Sequence, residues 1–174
     1  MKPELRKIIR SQKKALGAEA LVQMSLPTVE RVTANPEYQK AGRVMLYYPL
    51  WDEVDTRPLI TRALDDGKRV ILPTVVGDDI IPVEVTRQTV WVKGPFDIME
   101  PVAERYNEDI DFILVPGVAF DMNLNRLGRG KGYYDRFLSQ HADAYRLGIC
   151  FGFQVLPEIP TEPFDFKMNE LLVI

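Results

Sequence analysis

The residues best suited to chemistry in this chain fall in one segment, Arg126-Leu127-Gly128-Arg129-Gly130-Lys131-Gly132-Tyr133-Tyr134-Asp135. Gly128, Gly130 and Gly132 alternate with Arg129 and Lys131, and Arg126 stands just ahead. Glycines let backbone N–H groups come close to an anion, and interleaved Arg and Lys supply charge for phosphate oxygens. Three cations in so tight a loop repel one another unless an anion joins them, so the pattern indicates a polyphosphate site rather than a basic turn. It matches neither familiar nucleotide motif. A Walker A loop needs glycine where Asn125 stands and Ser or Thr where Gly132 stands; a dinucleotide fingerprint needs glycine in place of Tyr133. The spacing does not say which polyphosphate is held.

The flanking elements place this loop. Asp111-Phe112-Ile113-Leu114-Val115-Pro116 reads as a strand covered on both faces, and Tyr133 to Gln140 as a helix. The loop thus leaves the carboxyl end of a strand and enters a helix N-terminus, where ligands of open α/β sheets sit and where the helix dipole favours an anion. Upstream, Pro3 to Leu16 is predicted helical, with Leu5, Ile8, Ile9 and Leu16 near one face. Lys2, Arg6, Lys7, Arg10, Lys13 and Lys14 occupy much of the remainder. A second helix is expected over Ala18 to Val32, closed by Asn35-Pro36. Buried strands are expected at Arg43 to Tyr48, Arg69 to Pro73, Tyr145 to Ile149 and Leu171 to Ile174. A helix from Thr56 to Asp66 has Thr56 as N-cap and Gly67 past its end. Ile80 to Thr86 and Val90 to Val92 suit a β-ribbon or edge strands. This alternation predicts a three-layer α/β/α sandwich with a mainly parallel central sheet (Rossmann-like), N-terminal helices and a small β-ribbon. With no repeat or linker, residues 1–174 are expected to form one domain.

Composition narrows the class. The 174 residues carry 22 Lys plus Arg against 25 Asp plus Glu, a net charge of −3, which argues against nonspecific binding to nucleic acid. With 46% hydrophobic and 27% charged residues the chain is globular rather than disordered. The single cysteine, Cys150, cannot form an internal disulfide. The start, Met1-Lys2-Pro3-Glu4-Leu5-Arg6, has no apolar core for a signal peptide, and the apolar runs fall well short of the ~20 residues of a spanning helix. A cytoplasmic monomer without membrane or nucleic-acid partners is expected. No Ser-His-Asp or Cys-His constellation stands out, and neither His141 nor Cys150 is assigned a role.

Strand, Pro116-Gly117, Phe120-Asp121 and the run Arg126 to Asp135 together resemble the signature of the 5-formyltetrahydrofolate cyclo-ligase (methenyltetrahydrofolate synthetase) family. The resemblance extends to Lys2, Leu5 and Arg6 near the N-terminus, to Asp52-Glu53-Val54-Asp55-Thr56, and to Pro163-Phe164-Asp165. It implies an enzyme that uses Mg·ATP to close 5-formyltetrahydrofolate into 5,10-methenyltetrahydrofolate, releasing ADP and phosphate. The formyl oxygen would take the γ-phosphoryl group, and the folate nitrogen at position 10 would then displace phosphate. Other readings of the same loop are a different ATP-dependent ligase or small-molecule kinase, or a non-catalytic folate- or nucleotide-binding regulator.

The resemblance also nominates residues. Lys2 and Arg6 would contact ATP phosphates, with Arg126, Leu127, Gly128, Arg129, Gly130, Lys131, Gly132, Tyr133 and Tyr134 wrapping the triphosphate. Arg129, Gly130, Lys131, Gly132 and Tyr133 would also border the folate, with Arg129, Lys131 and Tyr133 as the catalytic set. Leu50 and Phe96 would supply apolar and stacking contacts to the folate, and Glu53 or Asp55 an acid against its pterin. Asp135 and Asp165 would hold Mg²⁺. On spacing alone, Asp135 in the first turn of a helix equally suits an offset to the helix dipole, and Asp165 a turn beside Pro163. Asn169 stands where relatives often carry an acid, and Phe96 where some carry Trp.

Overall fold

The computed structural model describes residues 1–94 and 98–174. The chain opens with four helices, α1 (Lys2–Leu16), α2 (Ala18–Met24), α3 (Thr28–Thr33) and α4 (Pro36–Lys40). The expected single helix over 18–32 is therefore two. Ser25 ends α2 by donating its hydroxyl back to the Leu21 carbonyl, and Pro27, which has no N–H to continue the ladder, precedes α3. Asn35 does more than close a helix: its side chain accepts from the Glu37 N–H and starts α4.

The sheet then begins with β1 (Arg43–Met45), followed by α5 (Arg57–Asp65), β2 (Arg69–Val76) and β3 (Asp79–Val85). A ribbon of β4 (Val90–Lys93) and β5 (Met99–Val102) follows, then β6 (Phe112–Val115) and the short pair β7 (Ala119–Phe120) and β8 (Arg126–Leu127). Helix α6 (Tyr133–Gln140), β9 (Tyr145–Cys150) and β10 (Glu170–Val173) complete the order. Among the described residues one six-stranded sheet runs β10-β9-β6-β1-β2-β3, parallel except for β3 against β2.

Alternating strand residues serve the two faces. Val44 and Phe112 pack with Leu21, Val32, Tyr38 and Leu59 beneath α2 to α5, while Met45 and Ile113 pack with Phe137 and Leu138 of α6. This is the expected α/β sandwich. A smaller cluster of Ile9, Val118, Ala119, Leu127 and Ile159 fastens α1 to the β7–β8 pair. Among the described residues no helix is long and apolar enough to cross a membrane.

The face that α1 turns inward differs from the predicted one. Ile9 is buried, but Ile8 and Leu16 are 54% and 43% exposed, and Lys13 is buried at 2%. Leu5 and Ile9 of the predicted face do turn inward, and Lys2, Arg6 and Lys13 share that side in place of Ile8 and Leu16. A helix laid over a polar cavity turns its cations toward that cavity, so the apolar-face rule misassigns it.

Candidate active site

From β1 the chain crosses through α5 to β2 on one side; from β6 it crosses through α6 to β9 on the other. β1 and β6 are neighbours, so the sheet reverses its direction of travel between them. A crevice opens at the carboxyl ends of the strands at such a point. The segments that follow β1 and β6 meet there, roofed by α1 and by the turn carrying Glu162 and Asp165, around a cavity of about 410 Å³.

The loop wall is built by conformation and burial together. Gly132 has φ +70 and caps α6, so the first turn of that helix faces the cavity. Gly130, at φ +104, lies against the Arg6 guanidinium, while Arg6 Nε donates to the Gly128 carbonyl at 2.8 Å. The Arg126 side chain is buried: Nη1 donates to the Pro116 carbonyl at 3.0 Å, the guanidinium sits 5.3 Å from the Tyr134 ring, and Nε has no hydrogen-bond partner among the described residues. Burial weakens the hold of Arg126 on its proton, and Asp135, 4.0 Å from Nη2, opposes that effect. Lys131 is exposed and makes no ion pair among the described residues.

The acidic wall follows β1. Glu53 Oε1 accepts from the Leu50 N–H at 2.8 Å, and Oε2 stands 3.8 Å from Arg129 Nη2. Burial raises the Glu53 carboxyl above the ordinary range, against the pull of Arg129 and the Leu50 N–H. Asp52 is buried behind it and accepts from Arg129 Nη2 at 2.9 Å. Across the cavity, Lys2 Nζ donates to Asp165 Oδ2 at 3.0 Å, and Asp135 Oδ1 accepts from the Phe166 N–H at 3.1 Å.

A pocket lined by five cations (Lys2, Arg6, Arg126, Arg129 and Lys131) and four acids (Glu53, Asp135, Glu162 and Asp165), at the switch point of a parallel sheet, suits an anionic ligand. Comparison with known proteins then decides the family. The 5-formyltetrahydrofolate cyclo-ligase family model matches residues 1–174. The 5-formyltetrahydrofolate cyclo-ligase of Mus musculus is 30% identical over 97% of this chain and 91% of its own length. A probable 5-formyltetrahydrofolate cyclo-ligase of Schizosaccharomyces pombe is 34% identical over 98% and 94%. The solution structure of Aquifex aeolicus 5,10-methenyltetrahydrofolate synthetase superposes with a TM-score of 0.84 at 40% identity, covering 99% of this chain and 89% of that one.

The chain belongs to the 5-formyltetrahydrofolate cyclo-ligase family.

Most of the residues nominated from the family signature line the one cavity: Lys2, Arg6, Glu53, Arg126, Gly128 through Tyr134, Asp135 and Asp165. Three do not. Leu127 is 1% exposed and packs with Ile9 in the small cluster, burial that contributes roughly 1.5–3 kcal/mol and anchors the loop rather than facing its contents. Leu50 does not line the cavity; its N–H donates to Glu53 Oε1, which does. Asp55 turns to Arg57, accepting from its backbone N–H at 3.1 Å and from Nε at 2.8 Å. Phe96 lies outside the described residues.

Other residues of the cyclo-ligase cavity were given no role from the sequence, although Pro116, Gly117 and Phe164 fall within the stretches that carry the resemblance. Glu162 and Phe164 line it beside Asp165, and Pro116 and Gly117 line it at the end of β6. Asp52 and Lys13 meet behind it, with Asp52 Oδ2 3.8 Å from Lys13 Nζ. The available signal was spacing: Lys13 falls seven residues after Arg6 on the same helical face. His141 stacks on Phe137, and Cys150 is buried with its thiol pushed up to about 12, away from thiolate chemistry.

Proposed function

We propose that this chain uses ATP to cyclise 5-formyltetrahydrofolate to 5,10-methenyltetrahydrofolate, releasing ADP and phosphate. The observation that carries this reading is the closure of the glycine loop and the cationic stripe of α1 on one cavity whose far wall holds the buried carboxyl of Glu53. Phosphoryl transfer needs charge neutralisation and alignment far more than it needs a protein nucleophile. Lys2, Arg6, Arg126 and the main chain of Gly128 to Tyr134 supply the first for a triphosphate. Glu53 supplies the second for the folate, since a carboxylate accepts two hydrogen bonds from an amino-pyrimidine edge.

The formyl oxygen attacks the γ-phosphorus and ADP leaves, giving a phosphorylated formyl group. The nitrogen at position 10 then attacks the formyl carbon and loses its proton, and phosphate departs with the former formyl oxygen. Arg129, Lys131 and Tyr133 line the cavity: the two cations would neutralise charge on the transferred group, and the tyrosine would border the folate. Arg126 lines the cavity with a guanidinium charge held in its wall, where it would attract the phosphate oxygens.

Asp135 and Asp165 fit Mg²⁺. Both are hard oxygen donors on the cavity, and Asp135 Oδ2 and Asp165 Oδ1 accept no hydrogen bond among the described residues. Among the described residues no three acidic, His or Cys side chains cluster tightly enough to hold an ion unaided, so phosphate oxygens and water would complete the sphere. When bound, Mg²⁺ would neutralise the phosphate charge that these cations leave over.

The test is the near-ultraviolet absorbance of the methenyl product. Purified protein with 5-formyltetrahydrofolate, ATP and Mg²⁺ is expected to raise that band, and omitting ATP or adding a chelator to abolish the rise. ADP formation with a flat trace would reassign the chain to another ATP-dependent reaction. ATP binding without any turnover would make it a regulator.

A further inference from the structure

Lys13 is the buried cation of α1. Its side chain is 3% exposed, and its ion-pair partner is Asp52, with Nζ 3.8 Å from Oδ2. That separation is too long for a hydrogen bond, and burial lowers the hold of Lys13 on its proton while Asp52 raises it. A pair buried on these terms contributes little to stability, and apolar side chains of similar volume often replace such pairs without loss. Its position in the fold gives it another use.

The second oxygen of Asp52 shows what that use is. Oδ1 accepts from Arg129 Nη2 at 2.9 Å, and among the described residues this is the one hydrogen bond the Arg129 side chain makes. Arg129 stands between Gly128 and Gly130 and is 45% exposed, so neither its backbone nor packing fixes the guanidinium. Asp52 is also the chain neighbour of Glu53, and its charge adds to the cost of ionising Glu53. Lys13 places a positive charge beside Oδ2, the Asp52 oxygen that Arg129 leaves free.

We propose that Lys13 and Asp52 are positioning residues: a buried ammonium–carboxylate pair that aims Arg129 into the cavity before substrate arrives, while neither touches substrate. This rests on the role given to Arg129 under "Proposed function". A cation held in place avoids reorganisation during phosphoryl transfer, and a small misplacement of such a group costs a large factor in rate.

The test is a double-mutant cycle read by turnover. Lys13→Met and Asp52→Asn are each expected to lower kcat on the order of tenfold to a hundredfold with little change in KM for 5-formyltetrahydrofolate, which Glu53 holds. Lys13→Arg should recover most of that loss, since a cavity of about 30 Å³ beside Lys13, Asp52 and Arg129 leaves room for the larger cation. In an Arg129→Ala background both substitutions should be silent, because they act through Arg129. Equal losses in both backgrounds, or no recovery with Lys13→Arg, overturn the proposal. Where Lys13→Met fails to fold, the near-isosteric Asp52→Asn carries the cycle. A wild-type protein without methenyl formation would overturn the functional reading instead. The cycle is then read from ATP affinity by calorimetry, where Asp52→Asn must weaken binding only while Arg129 is present.

Discussion

Two adjacent stretches of chain, residues 121–125 and 128–132, are both polar and both irregular, yet their bonding is opposite. In the first, Asp121 is fully buried and accepts four hydrogen bonds, from the N–H groups of Asn123, Asn125 and Ile159 and from the Asn125 side-chain amide. Leu124 is held there at φ +69, a conformation that such a network can impose on a residue with a side chain. In the second, among the described residues, three glycines carry Arg129 on one side-chain hydrogen bond, with Glu53 Oε2 3.8 Å away, and Lys131 with no ion pair. Polar groups that satisfy one another build a scaffold; cations left short of partners in a concave wall await an anion. The turn at Asp121 is rigid so that the loop beyond it can keep its charge uncommitted.

The largest effects should separate the two stretches by kind. Arg129→Ala is expected to lower kcat/KM by about 10²–10³, equivalent to ~2.7–4 kcal/mol of transition-state stabilisation, with the unfolding midpoint almost unchanged. Asp121→Ala should do the reverse, leaving buried N–H groups unpaired at a cost of about 3 kcal/mol or more in denaturant unfolding. Turnover per folded molecule should then stay within a few-fold of wild type. Were Arg129→Ala to unfold the protein, or Asp121→Ala to spare its stability, the division between scaffold and site would fail.

A smaller effect, of opposite sign at two acids, sharpens the same contrast. Burial pushes the Asp121 carboxyl up, but the Asn125 amide and three backbone N–H groups outweigh it and hold the group below its ordinary value. Its stabilisation is therefore complete above the unfolded carboxylate value of ~4 and is lost as pH falls through the lower folded one. Glu53 is raised, so it disfavours the fold as pH climbs from its unfolded value of ~4.3 to its folded one. The slope for either group is at most about 1.4 kcal/mol per pH unit. In urea unfolding between pH 3 and 7, Asp121→Asn should flatten the acid limb, and Glu53→Gln should stabilise more at pH 7 than at pH 4. Parallel limbs for wild type and both variants would contradict the assignment.

The same contrast explains what could be read from the sequence. The glycine loop, the strand before it and α6 were legible because each obeys a local rule: apolar run, glycine spacing, then helical period. The face of α1 was not, because apolar periodicity assumes that the inside is a core. Here the inside is only partly a core: Lys2 and Arg6 turn toward the cavity and Lys13 toward the buried Asp52, beside Leu5 and Ile9, while Ile8 and Leu16 remain out. Leu127 was drawn into the site by its place between Arg126 and Gly128, yet the alternation of a two-residue strand sends it to the core. Asp52 went unread because a buried acid is recognised by its partners, and Lys13 and Arg129 come to it from 39 residues before and 77 after.

The smallest predicted effect falls on the two acids of Glu53-Val54-Asp55, which the sequence left equivalent. Geometry parts them. Glu53 lines the cavity, fixed by the Leu50 N–H; Asp55 closes a turn on Arg57 at the start of α5, where that guanidinium holds its carboxyl below the ordinary range against burial. Glu53→Gln is expected to raise KM for 5-formyltetrahydrofolate by roughly tenfold or more, because an amide cannot accept both hydrogen bonds of an amino-pyrimidine edge. Asp55→Asn should leave that KM within about twofold and cost ~1 kcal/mol or less in stability, as for a helix-start acid paired with an exposed arginine. Steady-state titration of the folate at saturating ATP distinguishes them, and a larger shift for Asp55→Asn than for Glu53→Gln would reverse the assignment. The two acids lie on the same side of an extended stretch in sequence, but the chain turns between them, and that turn decides which one a substrate meets.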